Sequence, residues 1–235
     1  MPTNLPVRAM PNATPAVTDA GIGAHLRDVY TYMAGGLALT GAVAWYSAAS
    51  GLFLRLAGTP LIWVVLLAPL AMVMFLSFRI QRMSLGTAQI AYWSYAAVMG
   101  VSLAGIFMIY THQSIARVFF ITAGTFGAMS LYGYTTKSDL SKWGSFLFMG
   151  LIGVIIASVV NVFMASSALQ FAVSVMGVIV FTGLTAYDTQ KIKAMFTDAD
   201  SAEVRGKKAV MGALALYLDF INLFLMLLRL LGGRR

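Results

Sequence analysis

The chain has 235 residues, of which 60% are hydrophobic and 10% charged, whereas a soluble domain carries about 25% charged and 45–50% apolar residues. That excess is too large for one globular core, leaves no room for a separate soluble domain, and reads as a single helical membrane domain. The net charge of +8 comes from 16 Lys and Arg against 8 Asp and Glu; most of these cations flank apolar runs, so no nucleic-acid partner is expected, and the absence of cysteine excludes disulfides, thiolate metal sites and a Cys nucleophile.

Pro2, Pro6, Pro11 and Pro15 crowd the first fifteen residues. With no apolar run of its own, the segment 1–24 reads as a flexible tail rather than a signal peptide, and 25–235 as the membrane domain. Seven apolar segments follow: Val29–Ala49, Pro60–Phe78, Thr87–Tyr110, Ser114–Tyr134, Ser145–Phe163, Ala168–Tyr187 and Ala209–Leu231. Each approaches the ~20 residues that cross ~30 Å of hydrocarbon as a helix. Barrel strands would instead alternate over ~10 residues. The expected fold is therefore all-α, with spans one–two, three–four and five–six as three hairpins around a central seventh helix. The small residues Gly35, Gly36, Gly41, Gly124, Gly127, Gly150 and Gly153 suit close packing of membrane helices.

Charge sets the expected orientation. The tail and the connections after spans two, four and six hold eleven cations: Arg8, Arg27, Arg79, Arg82, Lys137, Lys142, Lys191, Lys193, Arg205, Lys207 and Lys208. The other side holds five, Arg55, Arg117, Arg229, Arg234 and Arg235. The positive-inside rule then places the N-terminus in the cytoplasm and the C-terminus outside, with Asp188 to Lys208 as the longest and most charged loop.

Of the eight acidic residues, only Asp188 and Asp219 lie within or at the margin of apolar sequence. A carboxylate at bilayer depth costs several kcal/mol, so it faces the bundle interior and marks a functional site. Asp219 stands roughly ten residues into its segment, ~15 Å deep at the helical rise. It belongs to a stripe of Gly212, Ala215, Asp219, Asn222, Met226 and Arg229 at steps of three and four. Asp188 closes span six, where pairing with Lys191 or capping of a helix end is the structural alternative. Two carboxylates held together away from water do not both ionise cheaply. A shared proton would clip the last two helices, and its loss would set like charges against each other. Arg79, ending span two, could neutralise one of them, although an interfacial Arg reaching the lipid headgroups is the simpler reading. His112 has no His or acid clustered with it and reads as a loop residue.

The segments around the two aspartates are Ala-Tyr-Asp-Thr-Gln-Lys-Ile-Lys at 186–193 and Ala-Leu-Tyr-Leu-Asp-Phe-Ile-Asn-Leu-Phe at 215–224, with Leu-Leu-Arg at 227–229. They resemble the Bax inhibitor-1 family, the transmembrane Bax inhibitor motif proteins, and among these the bacterial inner-membrane members. The resemblance implies a seven-helix fold with a central last helix and a pH-sensitive calcium leak. An aspartate pair between helices six and seven governs that leak in the family, and the matching positions are Asp188 and Asp219. Calcium, which prefers hard oxygen ligands, is expected there as a transient permeant ion, Asn222 and Arg79 as accompanying residues, and no resident cofactor. Two other readings stay open: a non-conducting protein that binds and regulates other membrane proteins, such as a protease, and a proton-coupled transporter. An intramembrane aspartyl protease fits poorly, because Tyr-Leu-Asp lacks the glycine before Asp and Pro69-Leu70-Ala71 is in the wrong order and span. The protein is therefore not expected to be an enzyme.

Overall fold

The computed structural model describes residues 18–234, and all its regular elements are helices. In chain order these are α1 (Asp19–Ala49), α2 (Leu52–Ala57), α3 (Leu61–Arg79), α4 (Leu85–Leu103), α5 (Ile106–Ile109), α6 (His112–Thr135), α7 (Ser141–Met164), α8 (Ser167–Ala194) and α9 (Ala202–Leu231). A 3-10 turn, Ile80–Arg82, follows α3. Hydroxyl side chains start five of them: Thr18, Ser84, Thr111, Ser166 and Ser201 each accept a hydrogen bond from the backbone N–H three residues on. Such caps satisfy donors left unpaired by the first turn. Ala165, at φ 48°, adopts the left-handed conformation that closes α7 before the Ser166 cap.

Six helices are long and apolar enough to cross a membrane: those starting at Leu61, Leu85, His112, Ser141, Ser167 and Ala202. Helix α1 is 31 residues long, yet it is not among the six; its Gly, Ala, Thr and Tyr content dilutes its apolarity. The expected span Val29–Ala49 is thus helical without meeting that hydropathy test.

Three expectations are corrected. Residues 188–208 are not a loop: α8 runs to Ala194 and α9 starts at Ala202, leaving only 195–201 between them. The third segment is broken after Leu103 and resumes as the short α5. The hairpin arrangement also differs, because α1 packs mainly on α4 and α9 rather than on α3, and α6 on α8 and α9. Among the three expected hairpins, only α7 and α8 are close partners in both sequence and space. As for the tail, the described part of 1–24 is capped by Thr18 and helical from Asp19, and the remainder lies outside the described residues.

Helix α9 is the most buried of the long helices. Of its apolar window 72% is buried, against 11% for the α3 window and 6% for α7. Helices α1, α4, α6 and α8 contact it, while α3 leans on α4 and α7 on α8. Polar clamps close both ends. At one end Thr18 N–H donates to Asp198 Oδ2 (2.9 Å), Lys207 Nζ to Met83 O (3.1 Å) and Lys193 Nζ to Tyr134 O (3.0 Å). At the other, Gly233 N–H donates to Ser114 Oγ (2.6 Å) and Arg117 Nη2 to Leu231 O (3.1 Å).

The tightest backbone approach joins α6 to α8, where a Cβ on Gly133 would overlap the Ala186 carbonyl and lie 2.9 Å from its Cα. Backbone cannot yield as a flexible side chain can. Gly124, Gly127 and Gly153, by contrast, face open space. We expect Gly133→Val to destabilise the detergent-solubilised protein by about 1–3 kcal/mol. Gly127→Ala on the same helix should leave the thermal midpoint unchanged.

Candidate functional site

The site is built on the contact between α8 and α9, which run antiparallel from the 195–201 turn. Gly212 of α9 packs at Ile192 of α8, and Gly177 of α8 at Met226 of α9. This register puts Asp188 and Asp219 about one helical turn apart in height, within side-chain reach. The 31-residue separation in sequence is absorbed because the first turns of α9, bearing Glu203, Arg205, Lys207 and Lys208, project beyond the end of α8. Lys208 Nζ donates back to Met195 O at 2.7 Å and pairs with Asp200. Asp188 is not at the end of its helix, since α8 continues to Ala194.

The two carboxyl groups are within hydrogen-bonding reach of each other. A bond between carboxyl groups requires one to carry a proton. Asp219 is 4% exposed, and no N–H or hydroxyl donor reaches its Oδ2 among the described residues. Asp188 is half-buried. Lys191 is close enough to act on it electrostatically, but the ion pairs of the described residues are Lys207–Glu203 and Lys208–Asp200. Among the described residues no cluster of three His, Cys, Asp or Glu exists.

Both aspartates line one cleft of about 1050 Å³ between the α3–α4 pair and the α7–α8 pair, with α9 as its floor. The stripe read from the sequence forms that floor: Ala215, Asp219, Asn222, Met226 and Arg229 all line it. Gly212 instead packs on Ile192 and Val29. Asn222 spends its Nδ2 on Leu218 O at 2.8 Å. Ser141, Gly144 and Lys191 stand at one end of the cleft and Ser158 and Arg229 at the other. Arg79 is exposed at the end of α3, does not line the cleft and pairs with neither aspartate. A second lateral cleft of about 1150 Å³ lies between α1 and α6 and contains no carboxylate.

Sequence reasoning missed the support behind Asp219. Tyr217 Oη lies 2.7 Å from Thr40 Oγ1, which donates to Ala96 O at 2.8 Å. The Thr40 proton is committed to Ala96, so Tyr217 is the donor to Thr40. Tyr92 and Tyr95 of α4 meet the Tyr217 ring edge-on, at centroid distances of 6.4 and 5.4 Å. This polar and aromatic contact ties α9 to α1 and α4 two residues before Asp219, and so fixes which way the carboxyl faces. Its one legible trace was the pair of tyrosines in Ala-Tyr-Trp-Ser-Tyr at 91–95, which carries no periodicity pointing to α9. Removing the hydroxyl in Tyr217→Phe should cost about 1 kcal/mol of stability, the net worth of one buried hydrogen bond, read as a lower thermal midpoint; Tyr132→Phe, exposed on α6, should cost nothing.

Comparison with known proteins shows the family. The family model for the inhibitor of apoptosis-promoting Bax1 matches residues 23–235. The inner membrane protein YbhL of Escherichia coli K12 is 50% identical over 220 residues, covering 92% of this chain and 94% of that protein. An uncharacterized protein of Rickettsia prowazekii is 49% identical, covering 92% of each chain. One from Caulobacter vibrioides is 43% identical, covering 92% of this chain and 91% of its own. With six apolar helices long enough to cross a bilayer and a match that takes in nearly the whole sequence, this chain is a multi-pass membrane protein and belongs to the Bax inhibitor-1 family.

Proposed function

We propose that the protein is a pH-sensitive calcium leak of the bacterial inner membrane, gated by the proton shared between Asp188 and Asp219. The supporting observation is the carboxyl–carboxyl contact on the wall of a cleft that follows the α9 stripe along most of the bundle. In this reading Val29–Ala49 of α1 is the seventh span, its low apolarity tolerated because Val29, Met33, Gly36 and Thr40 face protein. The positive-inside count places the N-terminus in the cytoplasm and the C-terminus outside. The family match and the inner-membrane relative support the setting.

The mechanism follows from electrostatics. With one proton, the pair is a hydrogen bond that holds α8 against α9. Without it, two like charges face each other in a poorly solvated place, and repulsion loosens that contact. The unprotonated pair is also the form that attracts a divalent cation. Two carboxylates supply at most four of the six to eight oxygens that calcium takes, so the ion keeps part of its water and is held weakly, as transit requires.

His25 complicates a pH experiment. It is 5% exposed on α1 before the expected first span, and its ring packs 5.7 Å from Phe196 of the 195–201 turn. Burial holds its pKa below the usual 6.5, with Lys208 acting in the same sense and Asp28 and Asp200 opposing. Between the lowered value and 6.5, the unfolded chain binds the proton more readily, so stability falls as pH drops through this window. Acidification therefore weakens the α1 contact in the wild type, and His25→Phe should flatten that part of the stability profile measured by thermal midpoint from about pH 7 to 5.

Calcium efflux from liposomes containing the purified chain, read across about pH 5 to 8, tests the gate. Wild type should give a pH-dependent flux that His25→Phe retains and Asp188→Asn/Asp219→Asn abolishes. An unchanged pH profile in the double variant would sink the gate. No calcium flux at any pH would favour the non-conducting, partner-binding reading, and proton flux without calcium would favour a transporter.

A further inference from the structure

Among the described residues, the end of the bundle that carries the C-terminus of α9 has cations and no Asp or Glu. Asp19, Asp28, Asp139, Asp198, Asp200 and Glu203 belong to the opposite end, and Asp188 and Asp219 lie between. Arg229 is exposed there, and among the described residues neither an ion pair nor a hydrogen bond engages its guanidinium. Such an arginine beside apolar helices takes its counter-ion from outside the chain.

The surroundings of Arg229 are shaped to receive one. Two cavities of about 400 and 410 Å³ open on it from either side, and Gln170 lines both. Asn161 stands in the first, its Oδ1 already taken by Ser166 N–H at 3.0 Å; its Nδ2 is therefore the atom left to donate. Arg234 stands in the second. No carboxylate lines either cavity. Two guanidinium groups and two amides form a donor set for an oxyanion, and the planar fork of arginine matches phosphate oxygens.

The third opening at Arg229 is the outer end of the large cleft. From there inward its walls are apolar, with Leu66 and Leu103 on one side and Ile155 and Val159 on the other. It lies between α3 and α7, the two outermost helices, whose large side chains face outward. The cleft is therefore accessible sideways from the bilayer as well as from its mouth. A free phosphate would use the donors and leave this slot empty; a fatty tail would use the slot and leave the arginines unpaired.

We propose that this end of the protein is a binding site for an anionic phospholipid, its phosphate held by Arg229 and Arg234 and one acyl chain laid in the cleft towards Asn222. Seven residues of α9 separate Arg229 from Asn222, about 10 Å of helix, so half an acyl chain reaches the polar stripe. The site stands on its own geometry. If the leak reading also holds, the bound chain occupies the outer half of the same path and lowers flux.

The test adds lipid to the full-length protein in detergent and follows the thermal midpoint. Phosphatidylglycerol should raise it saturably, and phosphatidylcholine of the same chains and inorganic phosphate should not. Arg229→Gln should weaken the effect about tenfold, the loss expected for a charge-assisted phosphate contact, with Arg229→Lys between the two. Ser158→Phe, filling the slot behind the arginine, should weaken it also, whereas Arg205→Gln at the opposite end should not. Equal stabilisation by inorganic phosphate would make this a free-anion site and overturn the lipid assignment. Equal stabilisation by phosphatidylcholine, or a phosphatidylglycerol effect that survives Arg229→Gln, would overturn it too. Should the variants fail to fold, mass spectrometry of lipid retained by the wild type decides: enrichment of phosphatidylglycerol over its bulk share supports the site, and bulk composition refutes it.

Discussion

A carboxyl group facing hydrocarbon costs several kcal/mol, and α9 carries one at its centre. The bundle is arranged so that this group is almost wholly buried. Helices α1, α4, α6 and α8 pack on α9, and the Asp188 carboxyl lies within reach of Asp219 to share its burden. The pairing resolves the problem only in part. Two carboxyl groups satisfy each other when one proton lies between them, and work against each other when it leaves. The contact that hides Asp219 is therefore also a place where the bundle can be loosened.

The neighbours of the pair fit this division of labour. Behind the floor of the cleft, Tyr217 donates to Thr40 and packs against Tyr92 and against Tyr95, which also lines the cleft. That contact has no titratable behaviour near neutral pH, so it anchors α9 whatever the state of the aspartates. On the cleft side the walls are mostly apolar, Leu, Val, Ile and Phe with a few Ser. Rigid backing behind one face and a cleft before the other allow a change in charge to move side chains without dissolving the fold. The polar closures at the two ends, through Asp198 and Met83 at one and Ser114 and Leu231 at the other, set the limits of such movement.

The same accounting of charge separates the two ends. At the end where α1 and α9 begin, cations meet carbonyl groups and acids of the chain itself: Lys208 with Asp200, Lys207 with Glu203, Lys193 with Tyr134. At the far end Arg117 finds the Leu231 carbonyl, but among the described residues Arg229 has no such partner. This asymmetry is what makes a ligand of opposite charge the natural complement there.

Much of this was written in the one-dimensional pattern. Run lengths fixed the helical class, and the three–four spacing from Ala215 through Asp219 to Arg229 marked the inward stripe, because helical periodicity is local and survives in sequence. The two aspartates were legible because charge is rare in apolar segments. What could not be read was everything set by long-range packing. The chain places α1 on α4 and α6 on α8 instead of closing simple hairpins, since small residues such as Gly36 and Gly133 admit those partners more closely than sequence neighbours. It extends α9 back to Ala202, because Ser201 caps the helix and Lys207 and Lys208 bind backbone carbonyls of other segments. The reach between Asp188 and Asp219 depended on that extension and on the antiparallel register it imposes. The sequence by itself determined which helices exist and which side chains were costly to bury; only the tertiary structure decided which of those side chains meet, because a meeting depends on register between helices, and register is set by contacts far apart in the chain.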